Sequence, residues 1–187
     1  MTTGYGTCFL ACILMALSAG LVCDLALHRY LKKTGPAITA FTTAAMTAVF
    51  LCLYGFTMLT LRCVLLCQVL ILAGAIDAAT YEIPDWVHPF IMAVGLAGFR
   101  PVPAFCGFLL VPMPFLLAAL CTGKIGGGDV KLMAASGFAL GVTRGIWMMV
   151  WGLAMGLMWN AVFHKGRDRI PLAPFLAFGC FLVLLPA

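Results

Sequence analysis

Charge is what this sequence is shortest of. Six of its 187 residues are acidic, and charged residues of both signs make up 9%, against roughly 25% in a soluble domain. That shortage excludes a soluble globular chain. The remainder is 64% apolar and falls in long runs, which reads as an all-α, polytopic membrane protein. Closely paired cysteines are missing too. Cys8, Cys12, Cys23, Cys52, Cys63, Cys67, Cys106, Cys121 and Cys180 contain no C-x-x-C pair. Zinc sites and disulfide frameworks need closer grouping, so the cysteines read as small polarizable packing groups. No metal and no cofactor is expected. No basic residue precedes the first apolar run, so the N-terminus reads as a retained span and not a secretory signal. The net charge of +5 is scattered over short loops, and no nucleic-acid partner is expected. Internal repeats and low-complexity segments are lacking as well.

Length and punctuation place the spans, because a helix apolar all round carries little periodicity. A span needs roughly 17–25 residues. The first is expected over about 8–27, followed by the loop "HRYLKK". The apolar stretch 37–76 is two span lengths and is broken by Arg62, so two spans are expected to turn there. Further spans are expected over 86–99, 104–121, 130–143 with a turn at Arg144, 145–163 and 170–187, about eight in a single membrane domain, 1–187. Pro112 and Pro114 should kink the fifth. With the first loop cytoplasmic, strict alternation puts Arg29, Lys32, Lys33, Lys124, Lys131, Lys165, Arg167 and Arg169 inside and Arg62, Arg100 and Arg144 outside. Eight against three satisfies the positive-inside rule.

Few carboxylates make each one informative. Asp168 lies in a basic loop and reads as solvated. Asp24 precedes His28 by four residues, the spacing of a local helix pair. Asp77 ends the apolar run "CVLLCQVLILAGAI" with no basic residue within four positions. A carboxylate costs about 2.5–3.5 kcal/mol at mid-membrane and less near the interface, and a helix C-terminus disfavours an anion further. Asp77 is either an interfacial residue or a site. Asp129 follows three glycines and precedes an apolar run, so it is either an N-cap or a site. Two crossings separate Asp77 from Asp129, which returns both to the cytoplasmic ends of their helices. Two carboxyls sharing a site cannot both ionise easily. One then serves as general base on a water and the other as acid on a carbonyl oxygen, titrating as a unit. That is aspartic-protease chemistry. Gly126, Gly127 and Gly128 lack side chains and would let a substrate backbone approach; otherwise they form a plain flexible loop. Lys131 tunes Asp129, binds lipid headgroups or is structural. His88 reads as an interfacial residue. Trp147, Trp151, Phe163 and Phe175 read as span and interface residues.

"GGGDVKLMAASGFALG" holds a G-x-G-D pattern in Gly126, Gly128 and Asp129, "DAATYEIPD" sets Asp77 before Ile83-Pro84, and the last span opens "IPLAPFLAFG". In this order, each beside a span, they resemble the type IV prepilin peptidases, membrane aspartic proteases of bacteria. The resemblance covers residues 65–187 and leaves 1–60 as extra N-terminal spans. It implies a metal-free endopeptidase of the bacterial inner membrane that removes short basic leaders from prepilins or pilin-like precursors at the cytoplasmic face. Asp77 and Asp129 would be catalytic, with Pro84 and Gly126 to Gly128 shaping the site, membrane lipid around it and a pilin-like precursor helix as partner. The chain departs from the family at Asp85, where many relatives carry Asn. It departs again in "AATYE", where many carry basic residues. Glu82 and Asp85 make that loop acidic, which suits a basic leader or marks two solvated carboxylates. The first loop is short and lacks C-x-x-C pairs, so a compact, peptidase-only member is expected. Two other readings are a non-catalytic membrane assembly component and a small proton-coupled transporter, with the carboxylate pair as its ion site.

Overall fold

The computed structural model describes residues 2–31, 38–122, 126–163 and 170–186. Lys32, Lys33, Lys124, Lys165, Arg167, Asp168 and Arg169 lie outside them, so the expectations resting on those residues have no structural counterpart here. The described residues form eight helices: α1 (Thr2–Leu31), α2 (Ile38–Tyr54), α3 (Met58–Thr80), α4 (Val87–Leu96), α5 (Pro101–Leu110), α6 (Met113–Thr122), α7 (Gly127–Phe163) and α8 (Ala173–Leu184). Helices are what apolar runs must form in lipid, where each backbone group has to find its partner within the segment. Four segments are long and apolar enough to cross a membrane: Phe9–Arg29, Met58–Thr80, Pro101–Cys121 and Gly127–Val162. Shorter apolar helices stand between them. The chain is a multi-pass membrane protein. Its outward faces agree: Met15, Phe41, Leu109 and Leu120 are each more than 60% exposed, a surface that lipid covers and water would not tolerate.

Two turns fall elsewhere than charge placed them. The chain turns between α2 and α3 at Gly55, which takes the left-handed conformation (φ 63°), and not at Arg62. Thr57 then caps α3, its hydroxyl accepting from Thr60 N at 3.2 Å. Arg62 lies a turn inside α3 and donates to Ala139 O. The second turn lies inside α7. Gly141 has φ 79° and ψ 178°, a conformation nearly restricted to glycine. A Cβ on Gly145 would sit 3.4 Å from the Cα of Gly137, yet eight residues of straight helix span about 12 Å. The chain therefore reverses at Gly141, three residues before Arg144, and α7 is a hairpin of two arms, 127–140 and 142–163. Gly141→Ala is expected to cost about 2 kcal/mol, read as a lower unfolding temperature in detergent. The kink in the fifth span is as expected, with α5 giving way to α6 at Val111–Pro112.

α7 packs against α5, α4 and α8, and α3 packs against α8, α2 and α4. The shared core holds Leu66, Leu70, Ile91, Leu132, Met133, Met148 and Leu176, each fully buried. The N-terminal helices join it: Phe50 is in the core, and the Tyr54 hydroxyl donates to Leu184 O at 2.6 Å. Asp24 is structural by a contact the sequence did not suggest, since its carboxylate accepts from Ala40 N at 3.0 Å and from the Thr39 hydroxyl, securing the first turn of α2. Cys63, Cys67 and Cys180 are packing residues, whereas Cys52, Cys106 and Cys121 lie on outward faces.

Candidate active site

Asp77 lies in the last turn of α3 and is only 5% exposed. Its own helix offers it nothing, since a C-terminus presents carbonyls. The first turn of α8 supplies what is missing. Ala173 N donates to Asp77 Oδ2 at 2.9 Å, and the Leu172 backbone N–H also bonds the carboxylate. α8 has no side-chain cap of its own, so Asp77 satisfies N–H groups that a helix start leaves orphaned and meets the positive end of the α8 dipole. The approach is close because residue 74 is glycine. A Cβ there would sit 2.9 Å from Pro174 Cα.

α3 ends at Tyr81, whose left-handed conformation (φ 57°) lets its N–H bond Asp77 O at 2.8 Å. The chain then runs through Ile83-Pro84-Asp85 into α4, with Pro84 O accepting from Val87 N at 3.1 Å. This loop is tied to the start of α7. A Cβ on Gly128 would stand 3.3 Å from Ile83 Cβ. His88 is buried, with Nδ1 3.0 Å from Asp85 O and Nε2 3.4 Å from Gly128 O. It is therefore an internal strut, not an interfacial residue, because two carbonyls draw its ring inward. Lys131 Nζ lies 2.6 Å from Asp85 Oδ1.

That strutting positions Asp129. It is the third residue of α7, not the residue preceding the helix, and its N–H bonds Gly126 O at 3.1 Å. It is half-buried and lies within electrostatic range of Asp77. Two carboxylates 52 positions apart in the chain thus come within electrostatic range of each other where α3 ends and α7 begins, Asp77 facing the start of α8. Gly126 and Gly127 are exposed beside them, and a Cβ on Gly127 would meet nothing within 4 Å. A mostly apolar cavity of about 540 Å³ lies beside the last turns of α3, walled by Gly74, Ala75, Ala78 and Pro174 on one side and by Asp24 and Leu27 of α1 and Met46 of α2 on the other.

Asp85 is highly exposed, and the Lys131 hydrogen bond and charge hold its carboxyl below the usual range. A depressed folded value means the pair is intact above the ordinary carboxylate range and opens only as pH falls through the lowered value. A carboxyl-resolved NMR titration should find a midpoint under the 3.8 of a free aspartate, moving back up in Lys131→Gln. Sequence reasoning singled out Asp77, Pro84, Gly126 to Gly128, Asp129 and Lys131, and all stand at this end. It missed the α8 backbone donors, the His88 strut and the Asp85 partner of Lys131. The proline-flanked "IPLAPF" was the visible signal for the first.

The model of the type IV leader peptidase family matches residues 64–185, from the first turns of α3 through α8. A prepilin leader peptidase/N-methyltransferase of Bacillus subtilis (strain 168) is 28% identical over 146 residues, covering 71% of this chain and 58% of the relative. The chain thus spans little more than half of that relative's length. No solved structure gives a significant match. The matched segment is well over half of the chain and contains both aspartates, the strutted loop and the α8 start, so the chain belongs to the type IV leader peptidase family.

Proposed function

We propose that the protein is a membrane-embedded aspartic endopeptidase that removes short leaders from type IV prepilins or pilin-like precursors. The observation that carries this is the meeting of Asp77 and Asp129 at one end of an otherwise acid-poor bundle. Asp77 takes the base role, because backbone N–H bonds to its carboxylate suit the ionised form. It removes a proton from water as the water oxygen attacks the scissile carbonyl carbon. Asp129 gives its proton to the carbonyl oxygen, so a neutral tetrahedral diol forms. Collapse then breaks the C–N bond. One diol hydroxyl returns its proton to Asp129, and Asp77 protonates the departing amine. Gly126 to Gly128 and Pro84 shape the approach of an extended substrate backbone. The apolar cavity beside Asp77 suits the hydrophobic helix that follows a leader, arriving sideways from the bilayer. Lys131 acts on the loop through Asp85.

The active site faces the cytoplasm of a bacterial inner membrane in this reading, supported by the excess of Lys and Arg that alternation of the spans along the sequence assigns to that side. The test is co-expression of the full chain with candidate prepilins, followed by the intact mass of the precursor. The expected product lacks its leader. A fully inserted protein that leaves every precursor in a broad panel uncut would overturn the proposal.

A further inference from the structure

A second cavity, about 680 Å³, lies at the end of the bundle away from the aspartates. Arg62, on its wall, precedes Asp77 by fifteen residues on α3, roughly 22 Å along the axis. Three arginines from three segments line it: Arg62 of α3, Arg100 just before α5, and Arg144 just past the reversal in α7. They are the three basic residues that loop alternation set apart from the other eight. Among the described residues, no Asp or Glu lines the cavity. The described carboxylates Asp24, Asp77, Glu82, Asp85 and Asp129 all belong to the opposite end.

The arginines converge. The Arg62 guanidinium lies against Gly98, two residues from Arg100, and both Arg62 and Arg144 are within electrostatic range of the buried Cys63. Arg62 gives one hydrogen bond to Ala139 O, which leaves most of the five guanidinium donors unassigned. Arg100 and Arg144 also flank the starts of α5 and of the second α7 arm, where helix dipoles add positive potential. Like charges gathered at a membrane face repel one another, and planar guanidinium groups match phosphate oxygens. The same cavity has apolar walls, with Leu59 and Phe99 about two-fifths exposed. A cationic mouth over an apolar wall selects an amphiphile.

We propose that this cavity binds a phosphate-bearing amphiphile, with the phosphate among Arg62, Arg100 and Arg144 and an acyl chain along Leu59 and Phe99. The phosphate chemistry is shared by bilayer phospholipid and soluble phosphate, so the test separates them. Native mass spectrometry of the full chain in detergent, titrated with dioleoyl phosphatidylglycerol, should show a retained lipid, and dioleoylglycerol without the phosphate should bind at least about tenfold more weakly. Arg100→Gln and Arg144→Gln, both exposed and unneeded for packing, should each weaken retention about tenfold, whereas Arg29→Gln at the other end should not. Arg62→Gln also removes the Ala139 contact and is not used to decide. If inorganic phosphate displaces the lipid, the site is upheld with a soluble source available to it. If it does not, the site is upheld as a lipid site. Equal retention of dioleoylglycerol, no effect of Arg100→Gln and Arg144→Gln, or an equal loss in Arg29→Gln would each overturn the proposal.

Discussion

Asp77→Asn and Asp129→Asn are each expected to slow leader cleavage by about 10³-fold or more while the protein stays inserted and folded. The exchange conserves shape. At position 77 the amide oxygen still accepts from Ala173 N, so α8 keeps its partner. What the amide cannot do is take a proton from water. At position 129 it cannot pass a full proton to the carbonyl oxygen, and among the described residues no other carboxyl lies inside this site, since Asp85 is exposed and paired with Lys131. Alanine at 77 behaves differently. It removes the base and the partner of α8 together, which should lower stability by about 1 kcal/mol as well. Equal activity in Asp77→Asn and Asp77→Ala, with unequal unfolding temperatures, would separate the chemical role of the carboxylate from its structural one.

Gly107→Ala carries the largest expected effect on stability. At the crossing of α5 and the first α7 arm the two backbones meet directly. A Cβ on Gly107 would overlap the Gly137 carbonyl, and one on Gly137 would overlap the Gly107 carbonyl. Neither obstacle is a flexible side chain that can swing aside, so the helices must part. Small residues permit this kind of approach between helices in lipid, and overpacking it should cost about 3 kcal/mol. The double variant should cost less than the sum of the singles, because the helices need part only once. Asp129 lies eight residues before Gly137 on the same arm, so cleavage should fall along with the unfolding temperature. Unfolding followed by circular dichroism in detergent measures the first effect, and precursor mass the second.

The aspartates were legible in the sequence because charge is costly in such a chain. Each of the few carboxylates demanded a reason, and loop alternation returned Asp77 and Asp129 to one face. The glycine run was legible for the same kind of reason, being out of place before an apolar helix. The turns were less so. Arg62 and Arg144 drew attention by their charge, while the backbone turned at Gly55 and Gly141, where a positive φ was needed. Glycine and a threonine cap were the better guides there. The partners of the site were barely legible, since "IPLAPF" marks the start of α8 but not what that start would meet. That Ala173 N would reach Asp77 across 96 positions depends on how closely α8 packs at Gly74. That Lys131 would choose Asp85 depends on a loop folding back from α3. Such contacts are set by packing between distant segments and leave no local pattern.

The central claim is that Asp77 and Asp129 act as one catalytic unit. The measurement that tests it most directly is single-turnover cleavage of a prepilin in membranes by Asp77→Asn, Asp129→Asn and the double variant, at matched, folded concentrations. Residues that act as a unit are strongly non-additive. The double variant should therefore cut no more slowly than the slower single. A single variant that cuts at the wild-type rate, or losses that multiply in the double, would contradict the claim.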